Sequence, residues 1–134
     1  ELVEVRVKYG GTSMIQLLSN LPEHVVGIVA SGQVDANDYE TVIIPAIESA
    51  LKTHGRIRIL YQLGPAFTGF TSGAMWDDMK VGLAHLKAWE RIAVVTDEDW
   101  VAGATRFFGF AMPCPVRVFP NKEFAEAANW IATA

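Results

Sequence analysis

Two adjacent hydroxyls, Thr71 and Ser72, and two adjacent carboxylates, Asp77 and Asp78, are the residues whose types and spacing bear most directly on chemistry. A Thr or Ser at a helix start caps it by accepting a hydrogen bond from an exposed backbone N–H, and capping is the favoured reading here. A phosphate on either hydroxyl would gain from the helix dipole, so Ser72 and Thr71 are also candidate phosphorylation sites. Neither reads as a hydrolase nucleophile, because Ser72 follows Gly69 by three positions and the Gly-x-Ser-x-Gly elbow is absent. Adjacent helical residues point about 100° apart, so Asp77 and Asp78 do not converge on one ion and are expected to be a solvated, dipole-complementing helix start. His24, His54 and His85 have no Cys or His at ligand spacing. No metal, cofactor or catalytic residue is predicted, and the chain reads as a non-enzyme.

The hydroxyls close the stretch Leu63 to Gly73, which joins an apolar strand at Ile57 to Leu63 to a helix at Ser72 to Lys87. Gly64, Gly69 and Gly73 lack the Gly-Lys-Ser/Thr ending of a phosphate cradle. They are expected to make tight turns, forming an apolar flap that folds Phe67 and Phe70 over the sheet end. Open α/β sheets bind ligands beyond the carboxyl ends of their strands, and this stretch leaves such an end.

The rest of the chain supplies layers around that unit. Val3, Val5, Val7 and Tyr9 alternate with Glu4, Arg6 and Lys8, the pattern of a half-buried strand. Gly10-Gly11-Thr12-Ser13 resembles a connector, and residues 1–13 are expected to be an extra strand and linker, either appended or an ordinary first strand, able to pair with another chain. Met14 to Leu18 and Val25 to Ala30 form a hairpin, broken at Ser31-Gly32. Asp35 or Asn37 caps a helix with Tyr39, Ile43, Ile47, Ala50 and Leu51 on one stripe, and Pro45 is expected to kink or break it. Ile92 to Thr96 is a strand. Asp97 is expected to cap the next helix, which carries Trp100, Val101, Ala104, Phe107 and Phe108. A last strand, Val116 to Phe119, leads to a helix capped by Asn121 with Phe124, Ala127, Ala128 and Ile131 on its packing face. Strands alternating with helices predict one α/β domain over residues 14–134, its mixed sheet starting with a hairpin and continuing in parallel αβ units.

Composition narrows the partners. The 134 residues carry a formal net charge of −4 with 51% hydrophobic residues, which suits a compact core and offers no general attraction for a phosphate backbone. Nucleic acid is therefore not an expected partner. The single cysteine, Cys114, forms no intramolecular disulfide, and no apolar run reaches membrane-spanning length, so a cytoplasmic protein, at most peripheral to a membrane, is expected.

Four words in order, Tyr61-Gln62-Leu63-Gly64-Pro65, Phe70 to Asp78, Trp89 to Asp97 and Phe107-Phe108-Gly109-Phe110, resemble the SpoIIAA-like family of small bacterial proteins. The resemblance spans Met14 to about Ala132. It implies the STAS-like fold of anti-sigma-factor antagonists and suggests binding of an apolar small molecule, a lipid or a membrane surface. The candidate ligand-binding residues are Phe67, Phe70, Met75, Trp76, Met79, Phe107, Phe108, Phe110 and Met112. Most of the Phe107 to Met112 run is expected in the core; if several of its side chains are exposed together with Phe67, Phe70, Met75 or Trp76, the patch would mark a membrane, lipid or protein interface. The alternative is a regulatory protein-interaction domain or homodimer, with Ser72 or Thr71 as a phospho-switch. In sigma-regulating members that serine follows an Asp, which this chain lacks directly before Thr71-Ser72.

Overall fold

In a computed structural model of the chain, residues 3–7 and 14–133 are described. Six strands form one sheet in sequence order: β1 (Val3–Val7), β2 (Met14–Leu18), β3 (Val25–Val34), β4 (Ile57–Phe70), β5 (Trp89–Val95) and β6 (Val116–Phe119). The first two junctions are antiparallel and the remaining three parallel. The strand expected at the amino end is present as β1; the Gly10 to Ser13 connector lies outside the described residues.

Successive parallel strands in sequence order, joined by right-handed crossovers, place their connecting helices on one face. These are a helical run from α1 (Ala36–Asp38) to α2 (Ile44–Thr53), then α3 (Ser72–Ala84) and α4 (Asp99–Gly109). The last helix, α5 (Phe124–Ala132), covers the other face. Alternation along the central strands feeds both cores. Ile59, Tyr61 and Val94 belong to the cluster under α1 to α4, whereas Leu60, Ala93, Val95 and Phe119 meet Ala127 and Ile131 of α5.

Pro45 does not break the first helical run, which continues from Ala36 to Thr53. The turn before it, Tyr39–Ile43, widens to π-helical geometry, in which the Ile44 N–H reaches back to the Tyr39 carbonyl. The helix then resumes with Pro45 in its first turn, where the missing N–H matters least, and with the ring on the exposed side. Of the two possible caps, Asp35 is used: it accepts from the Asp38 N–H at 3.0 Å, and Asp38 accepts from the Asp35 N–H at 2.9 Å.

The largest departure from expectation is the stretch after Leu63. It is strand, not flap: β4 continues to Phe70 and pairs with an equally prolonged β3, matching Gly32 to Phe67, Gln33 to Gly69 and Val34 to Phe70. Register shifts accompany the pairing, and Gly32 at φ 71° and Gly69 at φ 139° adopt backbone conformations that side-chain-bearing residues avoid. The glycines thus serve bulges in a ladder.

Candidate functional site

The prolonged β4 delivers its chain end to α3 with Phe67 and Phe70 turned inward. Phe67 is buried and Phe70 half-buried. Their rings meet edge to face at 5.0 Å, and Phe70 also contacts Tyr61 at 6.4 Å and Trp100 of α4 at 6.1 Å. This aromatic file ties the end of β4 to the start of α4.

Thr71 caps α3, its Oγ1 accepting from the Ala74 N–H at 3.1 Å. Ser72 stands beside it, exposed. From there α3 is inverted relative to an ordinary surface helix. It buries Ala74 and Asp77, while Met75 (51%), Trp76 (59%), Met79 (44%) and Leu83 (61%) are exposed. Burying a carboxylate while leaving four large apolar side chains in water is the reverse of what hydrophobic transfer favours.

The aspartates are therefore not a plain solvated helix start. Asp77 receives Lys80 at 3.2 Å on one oxygen, and its other oxygen is buried without a hydrogen-bond partner among the described residues. Asp78 is exposed as a residue, yet its Oδ1 accepts from the buried Tyr39 hydroxyl at 2.7 Å. Tyr39 in turn lies 3.0 Å from the Tyr61 hydroxyl. Since the Tyr39 proton is committed to Asp78, Tyr61 donates to Tyr39 and the three groups form a directed chain. Burial, reinforced by the neighbouring Asp78 charge, holds both phenols well above their usual range. Loss of hydration raises the Asp78 carboxyl, with the Tyr39 hydrogen bond opposing. Sequence reading missed this chain; its one signal was the tyrosine hydroxyl at position 61 on the strand face otherwise formed by Ile57, Ile59 and Leu63.

The second exposed apolar group belongs to α4 and the turn after it: Trp100 (48%), Phe107 (72%), Phe108 (54%) and Phe110 (92%). The expectation that most of this run enters the core is overturned. Gly109 is the residue that approaches the sheet, where a Cβ would come within 3.3 Å of Val116, and this close contact leaves Phe107, Phe108 and Phe110 on the outer side. Met112 alone of the run packs against the core. Trp76 and Met75 on α3 and the phenylalanines on α4 thus share one sheet face, whereas Phe67 and Phe70 sit beneath them.

Asp97 and Asn121, expected as helix caps, are used elsewhere. The cap position of α4 is Glu98, whose N–H is received by Thr96 Oγ1 at 3.0 Å. Asp97 accepts from the Asn121 N–H at 2.9 Å and Nδ2 at 3.2 Å, which holds its carboxyl below the usual range. Asn121 also accepts from Gln62 Nε2 at 3.0 Å and donates to the Leu63 carbonyl at 3.2 Å. This cluster ties the middle of β4 to the carboxyl ends of β5 and β6. Among the described residues no group of three or more His, Cys, Asp or Glu could hold a metal ion, and no helix is long and apolar enough to cross a membrane.

A hairpin, parallel αβ units and a last helix on the opposite face define a single STAS-like α/β domain. The SpoIIAA-like family model matches residues 25–132, and the chain belongs to that family. A solved structure of an uncharacterized DUF3478-family protein with a SpoIIAA-like fold, from Shewanella loihica PV-4, is similar to it at 25% identity. The two superpose with a TM-score of 0.71 over 98% of this chain and 96% of that one. No curated protein matches the chain.

Proposed function

We propose that this domain is a non-catalytic binding module that attaches to lipid or a membrane surface through the outer sides of α3 and α4. The inversion of α3 carries the reading: Met75, Trp76, Met79 and Leu83 face solvent while Asp77 is buried. Contiguous exposed apolar surface marks an interface; tryptophan favours a membrane–water boundary, and tryptophan, phenylalanine and leucine form the apolar face of helices that lie in it. Lys80, paired with Asp77 at 3.2 Å, lies 6.0 Å from the Trp76 ring at the edge of the apolar group. The polar chain from Tyr61 to Asp78 lies beneath this surface and positions α3; it has no reacting partner in this reading.

Flotation with liposomes of phosphatidylcholine and phosphatidylglycerol tests it. Wild-type protein is expected in the lipid fraction, and Trp76→Ser combined with Phe107→Ser is expected to lose most of that association while keeping its circular dichroism. Absence of flotation for the wild type, or equal flotation of the double variant, would overturn the proposal.

A further inference from the structure

On the opposite face of the sheet, three arginines stand in a row across adjacent strands. Arg58 of β4 is paired in register with Arg91 of β5, and Arg117 of β6 is paired with Ala93, the next residue of β5 on the same face as Arg91. Like charges on neighbouring strands repel unless something compensates them.

Compensation is uneven along the row. Arg58 is buried, and its Nε donates to Glu90 at 2.7 Å while its Nη1 donates to the Ile131 and Thr133 carbonyls at 2.8 and 2.6 Å. Arg91 Nη1 donates to the Trp130 and Thr133 carbonyls at 2.7 and 2.8 Å, at the negative end of the α5 dipole. Arg117 has no carboxylate or carbonyl partner among the described residues. Its guanidinium instead lies over Phe119 at 4.7 Å and over Trp130 at 5.2 Å, with Arg91 at 5.3 Å from the same Trp130 ring.

Stacking of this kind fixes the plane of a guanidinium without consuming its N–H donors. A groove of about 390 Å³ opens over the pair, bordered by Arg91, Arg117, Glu126, Asn129 and Trp130. Glu126 forms no ion pair with either arginine, so two cations and one unpaired carboxylate leave the groove net positive on a chain whose formal charge is −4.

We propose that this groove is a binding site for a small oxyanion, a carboxylate or phosphate group received by the stacked Arg117 guanidinium with Arg91 beside it. The geometry that recommends it is the planar, aromatic-supported fork of Arg117, which matches two oxygens of such a group. The site lies behind the sheet from the apolar surface of α3 and α4 and is independent of that surface's role.

The test is a ¹H–¹⁵N NMR titration of the whole chain with acetate and, separately, inorganic phosphate, each against sodium chloride at matched ionic strength. Saturable shifts at the Trp130 indole N–H and the Arg117 and Asn129 amides are expected with at least one anion, and the tighter of the two identifies the preferred group. Arg117→Gln is expected to weaken that binding at least tenfold. Arg106→Gln, which removes an exposed charge from α4, is expected to leave it unchanged. No saturable shift with either anion, or equal weakening by both substitutions, would overturn the site.

Discussion

Helices α5 and α3 show two ways of attaching a helix to the same sheet. Helix α5 buries Ala127 and Ile131 completely, with Phe124, Ala128 and Trp130 packed around them. Helix α3 buries one alanine and one aspartate, sets only a half-buried Val81 against the core besides, and is held by a threonine cap, a close approach of Gly73 to Ala36 and the hydrogen bond from Tyr39 to Asp78. Hydrophobic burial therefore anchors α5, and directional polar contacts anchor α3. The difference leaves the large apolar side chains of α3 facing solvent.

Truncating the buried anchor of α5 breaks the comparison most directly. Ile131→Ala removes a side chain with no exposure and is expected to cost about 2–5 kcal/mol, from lost transfer energy and the cavity left behind. The same kind of truncation on α3, Leu83→Ala, removes a side chain that is 61% exposed and is expected to stay within about 0.5 kcal/mol. Urea denaturation of both variants measures the contrast. Comparable losses would mean that α3 is anchored by its apolar residues after all.

A smaller effect is expected at the polar anchor. Tyr39→Phe keeps the ring but deletes the hydroxyl that joins Tyr61 to Asp78, leaving a buried phenol without its acceptor. A buried polar group deprived of its partner costs about 1–3 kcal/mol, and that is the loss expected in urea. Amide exchange in α3 should accelerate more than in α5, because the lost contact is made by α3 and not by α5. Uniform acceleration would count against a local anchor.

The order of the elements was legible because periodicity and turn residues record it. Leu60 and Ala93 alternate with Ile59 and Val94 between the two cores, and buried Ile131 and Ala127 repeat at helical spacing. The Leu63 to Gly73 stretch was misread as a flap because its glycines suit turns and bulges alike, and only the partner strand decides between them. The outward placement of Phe107, Phe108 and Phe110 escaped notice for a related reason. Apolar character predicts burial on average, whereas the side of α4 that meets the sheet is set by where Gly109 can approach Val116. Hydrogen bonds such as Tyr39 to Asp78 span 39 residues and have no local signature.

The smallest effects expected are two pH dependences of opposite sign, one beside each helix. The Asp78 carboxyl, on α3, is raised by loss of hydration against the protein. A raised folded value means that the native state holds its proton more tightly than the unfolded chain. Its stabilising contribution is then complete below the ordinary carboxylate value and is lost as pH rises through the raised one. Glu90, which supports Arg58 under α5, is lowered chiefly by the hydrogen bond from that arginine. Its contribution is present above the ordinary carboxylate value and disappears as pH falls through the lowered one. Both carboxylates are partly open to solvent, so each effect should stay within about 1 kcal/mol after screening. Urea midpoints of wild type, Asp78→Asn and Glu90→Gln across the acid-to-neutral range resolve the two. Relative to Asp78→Asn the wild type should lose stability as pH rises, and relative to Glu90→Gln it should lose stability as pH falls. Slopes of the same sign would show that the two carboxylates are held alike, and the contrast between the helices would then rest on hydrophobic burial alone.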